Sequence, residues 1–173
     1  MRRTTRATLL LLLFATVAQA DPSTDVSFGV MLGLAVPSSA GTSSRFTWGV
    51  EGDYELLENI TAGGYFLTSS QDNSIPPVSS SQRISLYGLQ GRLNFAAIPG
   101  LSAGARLGLA TFTLDVSGSG STSSTDLSIG PFANFDYPVL PRLTVGGDLS
   151  ILFVTASSSY NVINILGTIK YWF

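Results

Sequence analysis

From Val26 onward the chain alternates. Val26, Phe28, Val30, Leu32, Leu34 and Val36 fall on one side of an extended segment, with Ser27, Gly29, Met31, Gly33 and Ala35 on the other. This period of two defines a strand whose faces meet different surroundings. A second segment sets Phe46, Trp48, Val50, Tyr54 and Leu56 against Thr47, Gly49, Glu51, Asp53 and Glu55. The third, about Ile60 to Thr68, is apolar but contains Gly63-Gly64, which leaves its register open. In the fourth, about Ile84 to Phe95, Tyr87, Leu89, Leu93 and Phe95 oppose Gly88, Gln90, Arg92 and Asn94.

The fifth segment, Leu101 to about Leu114, carries Leu101, Ala103, Ala105, Leu107 and Leu109 opposite Ser102, Gly104, Arg106 and Gly108. In the sixth, Leu127 to Tyr137, the polar face holds Ser128, Gly130, Asn134 and Asp136, and Pro131 predicts a bulge or local irregularity because proline donates no ladder hydrogen bond. The seventh, Leu143 to Phe153, presents Thr144, Gly146, Asp148 and Ser150 on its polar side, and the eighth, from about Asn161 to the end, presents Asn164, Thr168, Lys170 and Trp172. The connections alternate in kind. Leu57 to Asn59, Ala96 to Gly100 and Pro138 to Arg142 are short, whereas Ser38 to Ser44, Ser69 to Gln82, Ser117 to Thr125 and Ala156 to Ser159 are rich in Ser, Thr and Gly. An up-and-down meander collects all turns of one kind at one end, so the expected fold is all-β: a closed antiparallel transmembrane β-barrel of about eight strands, with short periplasmic turns and longer extracellular loops.

Which face is wet follows from charge supply. Only 12% of the 173 residues are charged and 45% are hydrophobic, against about 25% charged in an ordinary soluble domain. A secreted lipocalin-like binding barrel would need its polar faces to serve as a soluble surface, and serine, glycine and one charge per strand do not make one. The same faces suit a narrow lumen, where Glu51, Asp53, Glu55, Asp136 and Asp148 meet Arg92, Arg106 and Lys170 as a lumen charge network of five acids and three bases. Aromatic residues agree, with Phe28, Tyr54, Phe95, Phe135, Tyr137, Tyr171 and Phe173 toward the turns and Phe46, Trp48, Phe66 and Phe153 toward the loops, as in the girdles of a membrane barrel.

The amino terminus supplies the route. Arg2, Arg3 and Arg6 precede an apolar run from Ala7 to Val17, and Ala18-Gln19-Ala20 follows, so residues 1–20 are expected to be a signal peptide cleaved after Ala20, with 21–173 forming the barrel. The leader takes three of the nine basic residues and none of the eleven acidic ones, leaving a formal charge of −5 on the rest and no basic surface for nucleic acid. Histidine and cysteine are absent, which removes the usual general bases and thiolate nucleophiles. Neither catalytic residues, metal ligands nor cofactors are expected, and no enzyme. The carboxylates of Glu51, Asp53 and Glu55 share one face, about 7 Å apart per two residues, but no substrate cleft is implied.

The ending Ile169-Lys170-Tyr171-Trp172-Phe173, with a terminal Phe and apolar residues every second position inward, resembles the carboxy-terminal signal of outer-membrane β-barrel proteins. Over its whole mature length the chain is similar to the small OmpA/OmpX/OmpW-like barrels. The resemblance implies insertion into the bacterial cell outer membrane and contact with outer-membrane lipid and lipopolysaccharide. It also implies recognition by the barrel-assembly machinery through Ile169, Tyr171 and Phe173. Two roles suit such a barrel. One is a structural or surface-interaction protein with a charge-plugged lumen. The other, implied by the OmpW-like resemblance, is a narrow channel or route for small apolar molecules, with Met31, Leu67, Phe112 and Leu152 pointing inward near the loop rim. The loop Ser69 to Gln82 is the candidate for contact with an extracellular partner.

Overall fold

The computed structural model describes residues 26–38, 43–75, 78–118, 120–155 and 160–173. The expected leader and its cleavage point lie outside these residues, as does the connection Ala156 to Ser159. The eight strands are β1 (Val26–Pro37), β2 (Arg45–Leu57), β3 (Ile60–Ile75), β4 (Val78–Asn94), β5 (Leu101–Val116), β6 (Gly120–Leu140), β7 (Leu143–Val154) and β8 (Tyr160–Trp172). Each pairs antiparallel with its sequence neighbours, and β1 pairs with β8 from Ser27↔Trp172 to Pro37↔Val162, closing the cylinder. Closure matters because a sheet immersed in hydrocarbon has no water to satisfy an open edge.

The apolar faces read from the sequence point outward. Leu89 is 71% exposed, Leu107 51% and Leu149 51%, while Glu51, Arg106, Asp148 and Lys170 are buried in the lumen. Phe46 and Trp48 lie at the loop end of this belt, and Phe95, Phe135, Tyr137, Tyr171 and Phe173 at the turn end. Trp48 meets Phe66 edge-on at 6.1 Å between ring centroids, and Tyr171 meets Phe173 at 5.2 Å. This is a cylinder greasy outside and polar within.

Two expectations are corrected. Ser69 to Gln82 and Ser117 to Thr125 are mostly strand: β3 and β4 remain paired as far as Ile75↔Val78, and β5 and β6 as far as Val116↔Gly120. The pairing of β2 with β3 stops at Thr47↔Ser69 and that of β6 with β7 begins at Ser128↔Val154, so β3 to β6 continue past the rim as a four-stranded sheet. These segments carry polar residues at successive positions, which erases the alternation. At Pro131 the expected local irregularity takes the form of a gap in pairing, not a bulge. Ladder pairing to β7 lapses at Gly130 and Pro131, but Ile129↔Phe153 and Phe132↔Ser150 keep one register. The register shifts instead at Glu55/Leu57 and Pro138/Leu140, beside the short turns.

Candidate functional site

Strand alternation sends every second side chain inward, and the inward set sorts into two layers. Toward the turns it is charged. Arg106 on β5 holds Asp148 on β7 through two nitrogens, at 2.9 and 3.0 Å, and donates from Nε to Gln90 Oε1 on β4 at 3.0 Å. Its guanidinium carbon lies 4.4 Å from the centroid of the Phe132 ring and 5.0 Å from that of Tyr65, within cation–π range of both. Lys170 on β8 bridges Glu51 on β2 at 3.0 Å and Asp136 on β6 at 2.9 Å, and Asn134 Oδ1 accepts a third contact at 3.3 Å. Arg92 binds Asp53 at 2.8 Å.

Gln90 joins these pairs. Its Nε2 donates to Glu51 Oε2 at 2.9 Å and to Asp53 Oδ1 at 2.8 Å, placing amide hydrogens between two like charges that share a strand face. Burial makes such pairing obligatory, since the desolvation cost of each ion is several kcal/mol unless partners replace water. Strand β1 contributes room. A Cβ at Gly29 would come 2.9 Å from Lys170 Cγ and 3.2 Å from Glu51 Cγ, so the bare backbone there leaves space for that ion pair.

Of the network residues expected from sequence, ion pairs at 2.8–4.0 Å involve Glu51, Asp53, Arg92, Arg106, Asp136, Asp148 and Lys170. Glu55, the eighth, is half-buried at the rim, where the β2 register shifts. The members of these ion pairs are four acids and three bases. The neutral members Gln90, Asn134, Tyr65 and Phe132 were not part of the expected network. Tyr65 follows the Gly63-Gly64 ambiguity, and nothing in the alternation distinguishes a bridging amide from a space-filling one.

Toward the loops the lumen turns apolar. Met31, Leu67, Ile84, Leu86, Leu152, Val162 and Leu166 are buried together, with Phe112 packed against them. Near the mouth Arg45 is buried and donates to Gln82 Oε1 at 2.6 Å. The carboxy-terminal residues Ile169, Tyr171 and Phe173 face outward on the belt. Among the described residues no group of three or more acidic side chains is arranged to hold a metal ion.

The sequence matches the model of the family described as "Outer membrane protein beta-barrel domain" over residues 7–169. No curated protein matches. Among solved structures, the Neisserial surface protein A aligns at TM-score 0.66 and 15% identity, over 87% of this chain and 97% of that one. Ail, the attachment invasion locus protein of Yersinia pestis, solved with the heparin analogue sucrose octasulfate, aligns at 0.63 and 12%, again over 87% and 97%. A major outer membrane protein of Thermus thermophilus aligns at 0.61 and 13%, over 87% of this chain and 100% of that one. At such identities the structures speak to fold alone, and they agree on a small closed barrel. With the family model spanning nearly the whole sequence, this chain belongs to the outer membrane protein β-barrel family and lies in the bacterial outer membrane.

Proposed function

We propose that this barrel is a non-enzymatic structural and surface-interaction protein whose lumen is plugged. The observation that carries the reading is the stacking of two filled layers: an ionic layer centred on Arg106 and Lys170, both 0% exposed, beneath an apolar layer centred on Met31 and Leu152, also 0% exposed. An eight-stranded barrel has an interior just wide enough for side chains to fill. An ion crossing this one would have to displace paired charges and then an oily stopper. The extracellular continuation of β3 to β6 offers the surface for a partner. A non-enzymatic role is supported by the lack of histidine and cysteine.

On the outer face near the extracellular rim, a groove of about 420 Å³ is lined by Phe46, Trp48, Phe66, Thr68, Ser70 and Arg83. This mix of rings, hydroxyls and one cation suits outer-membrane lipid and lipopolysaccharide, which we take as the membrane partners. Ile169, Tyr171 and Phe173 are the residues offered to the barrel-assembly machinery, and residues 1–20 the leader removed on export.

The decisive experiment is single-channel recording in planar bilayers of the wild type and of Arg106→Ala. The plugged reading expects no stable openings from the wild type. A steady wild-type conductance would favour a narrow channel and sink the plug.

A further inference from the structure

Each of the three periplasmic turns carries an apolar tip. Leu57 at the end of β2 is 64% exposed, Ile98 between β4 and β5 52%, and Leu140 at the end of β6 62%. Phe173, past the end of β8, is 37% exposed, so the pattern recurs on each quarter of the closed cylinder. Within residues 57–59, 95–100 and 138–142 the charges are Glu58 and Arg142, fewer than a surface facing water ordinarily carries.

These tips lie beyond the lipid belt that the rest of the wall defines. Along β6 the outward side chains from Leu127 to Tyr137 rise through about 25 Å at the usual strand rise and tilt, already the full height of such an apolar band, and Leu140 follows them. On β2 the run from Phe46 to Leu56 has the same length, and Leu57 follows it. The rings of Tyr54, Phe95 and Tyr137 mark the level at which headgroups begin.

What covers the tips follows from their arrangement. A protein docking from the periplasm needs one contiguous patch, an apolar centre inside a polar rim, whereas these side chains are divided among separate hairpins around the circumference. Each continues the belt above it instead: Leu57 follows Tyr54 and Leu56, Ile98 follows Leu93 and Phe95, and Leu140 follows Phe135 and Tyr137. The β4–β5 turn also pairs its own backbone. Phe95 N donates to Leu101 O at 2.9 Å, Ile98 N to Phe95 O at 3.1 Å and Leu101 N to Ile98 O at 3.0 Å, which suits a region poor in water.

We propose that the periplasmic turns form a phospholipid-binding collar, with Leu57, Ile98 and Leu140 inserted into the inner leaflet at the boundary between acyl chains and headgroups. The collar is independent of whether the lumen is plugged or open.

The chain has no cysteine, so Ile98→Cys and Leu140→Cys each accept one nitroxide spin label. Leu89→Cys on the belt and Ser123→Cys on the extracellular sheet, both exposed, serve as the lipid and water references. Each variant is folded into phosphatidylcholine nanodiscs and checked by heat-modifiable gel migration. Collisions of the label are then measured with oxygen, which concentrates in lipid, and with a nickel chelate, which stays in water. At both tips the ratio of oxygen to nickel collisions should exceed that at Ser123 several-fold, with a depth of about 5–10 Å, the range of apolar side chains seated in a membrane interface. If either variant fails to fold, Leu57→Cys takes its place. A collision ratio equal to that at Ser123 overturns the proposal. So does shielding from both reagents, which would mark contact between copies of the protein in place of lipid.

Discussion

Arg106 and Asp148 form a two-pronged ion pair inside the barrel, at 2.9 and 3.0 Å, with the arginine wholly shielded from solvent. Because neither ion has water to fall back on, removing one should be far worse than removing both. Arg106→Met alone is expected to destabilise by about 3–5 kcal/mol, whereas Arg106→Met combined with Asp148→Leu should recover most of that loss. Reversible urea unfolding in lipid vesicles, followed by tryptophan emission, measures the difference. An additive double variant would mean the pair is not coupled.

The apolar stopper makes a separate forecast. Leu67 and Leu152 are 1% and 0% exposed among other aliphatic side chains. Leu67→Ala or Leu152→Ala should each cost about 2–5 kcal/mol through lost burial and the void left behind. Neither should open a pore alone, because the ionic layer beneath stays intact. The same unfolding assay and bilayer recordings examine both statements.

The lipid belt predicts a sign that a soluble barrel would not share. Leu89, 71% exposed, stands on the outer wall. Leu89→Arg should destabilise the protein in bilayers by about 2–4 kcal/mol, the penalty for a cation at mid-membrane depth. On a water-facing surface the same change would be nearly neutral. Unfolding free energies in vesicles distinguish the two.

Two glycines one rung apart give a matched pair. A Cβ on Gly104 would run into the Gly91 carbonyl and sit 2.8 Å from Arg92 Cα, whereas a Cβ on Gly91 would meet nothing within 4 Å. Gly104→Ala should therefore push β4 and β5 apart and destabilise by more than about 1 kcal/mol, the range of overpacking, while Gly91→Ala should fold like the wild type. Comparison of their midpoints of urea unfolding checks it.

How much of this was legible beforehand depended on whether the two strand faces met different media. Within the membrane they do, so Leu107 beside Arg106 or Ile169 beside Lys170 declares its direction from sequence alone. Past the rim polar residues follow one another, and Ser121 to Thr125 read as a loop although they pair with β5. Inward charges were legible one at a time, their partnerships were not. Which acid receives Arg106 depends on barrel register, linking residues 42 apart, and no local pattern encodes that. Gln90 escaped for a related reason: its value lies in the spacing between Glu51 and Asp53, fixed only once β4 crosses beneath them.

The bridge from Lys170 to Glu51 joins the last strand to the second. Lys170 also meets Asp136, so β8 carries the cation that both carboxylates share, with Arg106 4.0 Å from Glu51. Pairing of β8 with β1 thus closes the backbone ladder and sets Lys170 between Glu51 and Asp136 together. The terminal strand is a latch on hydrogen-bond ladder and ion network alike.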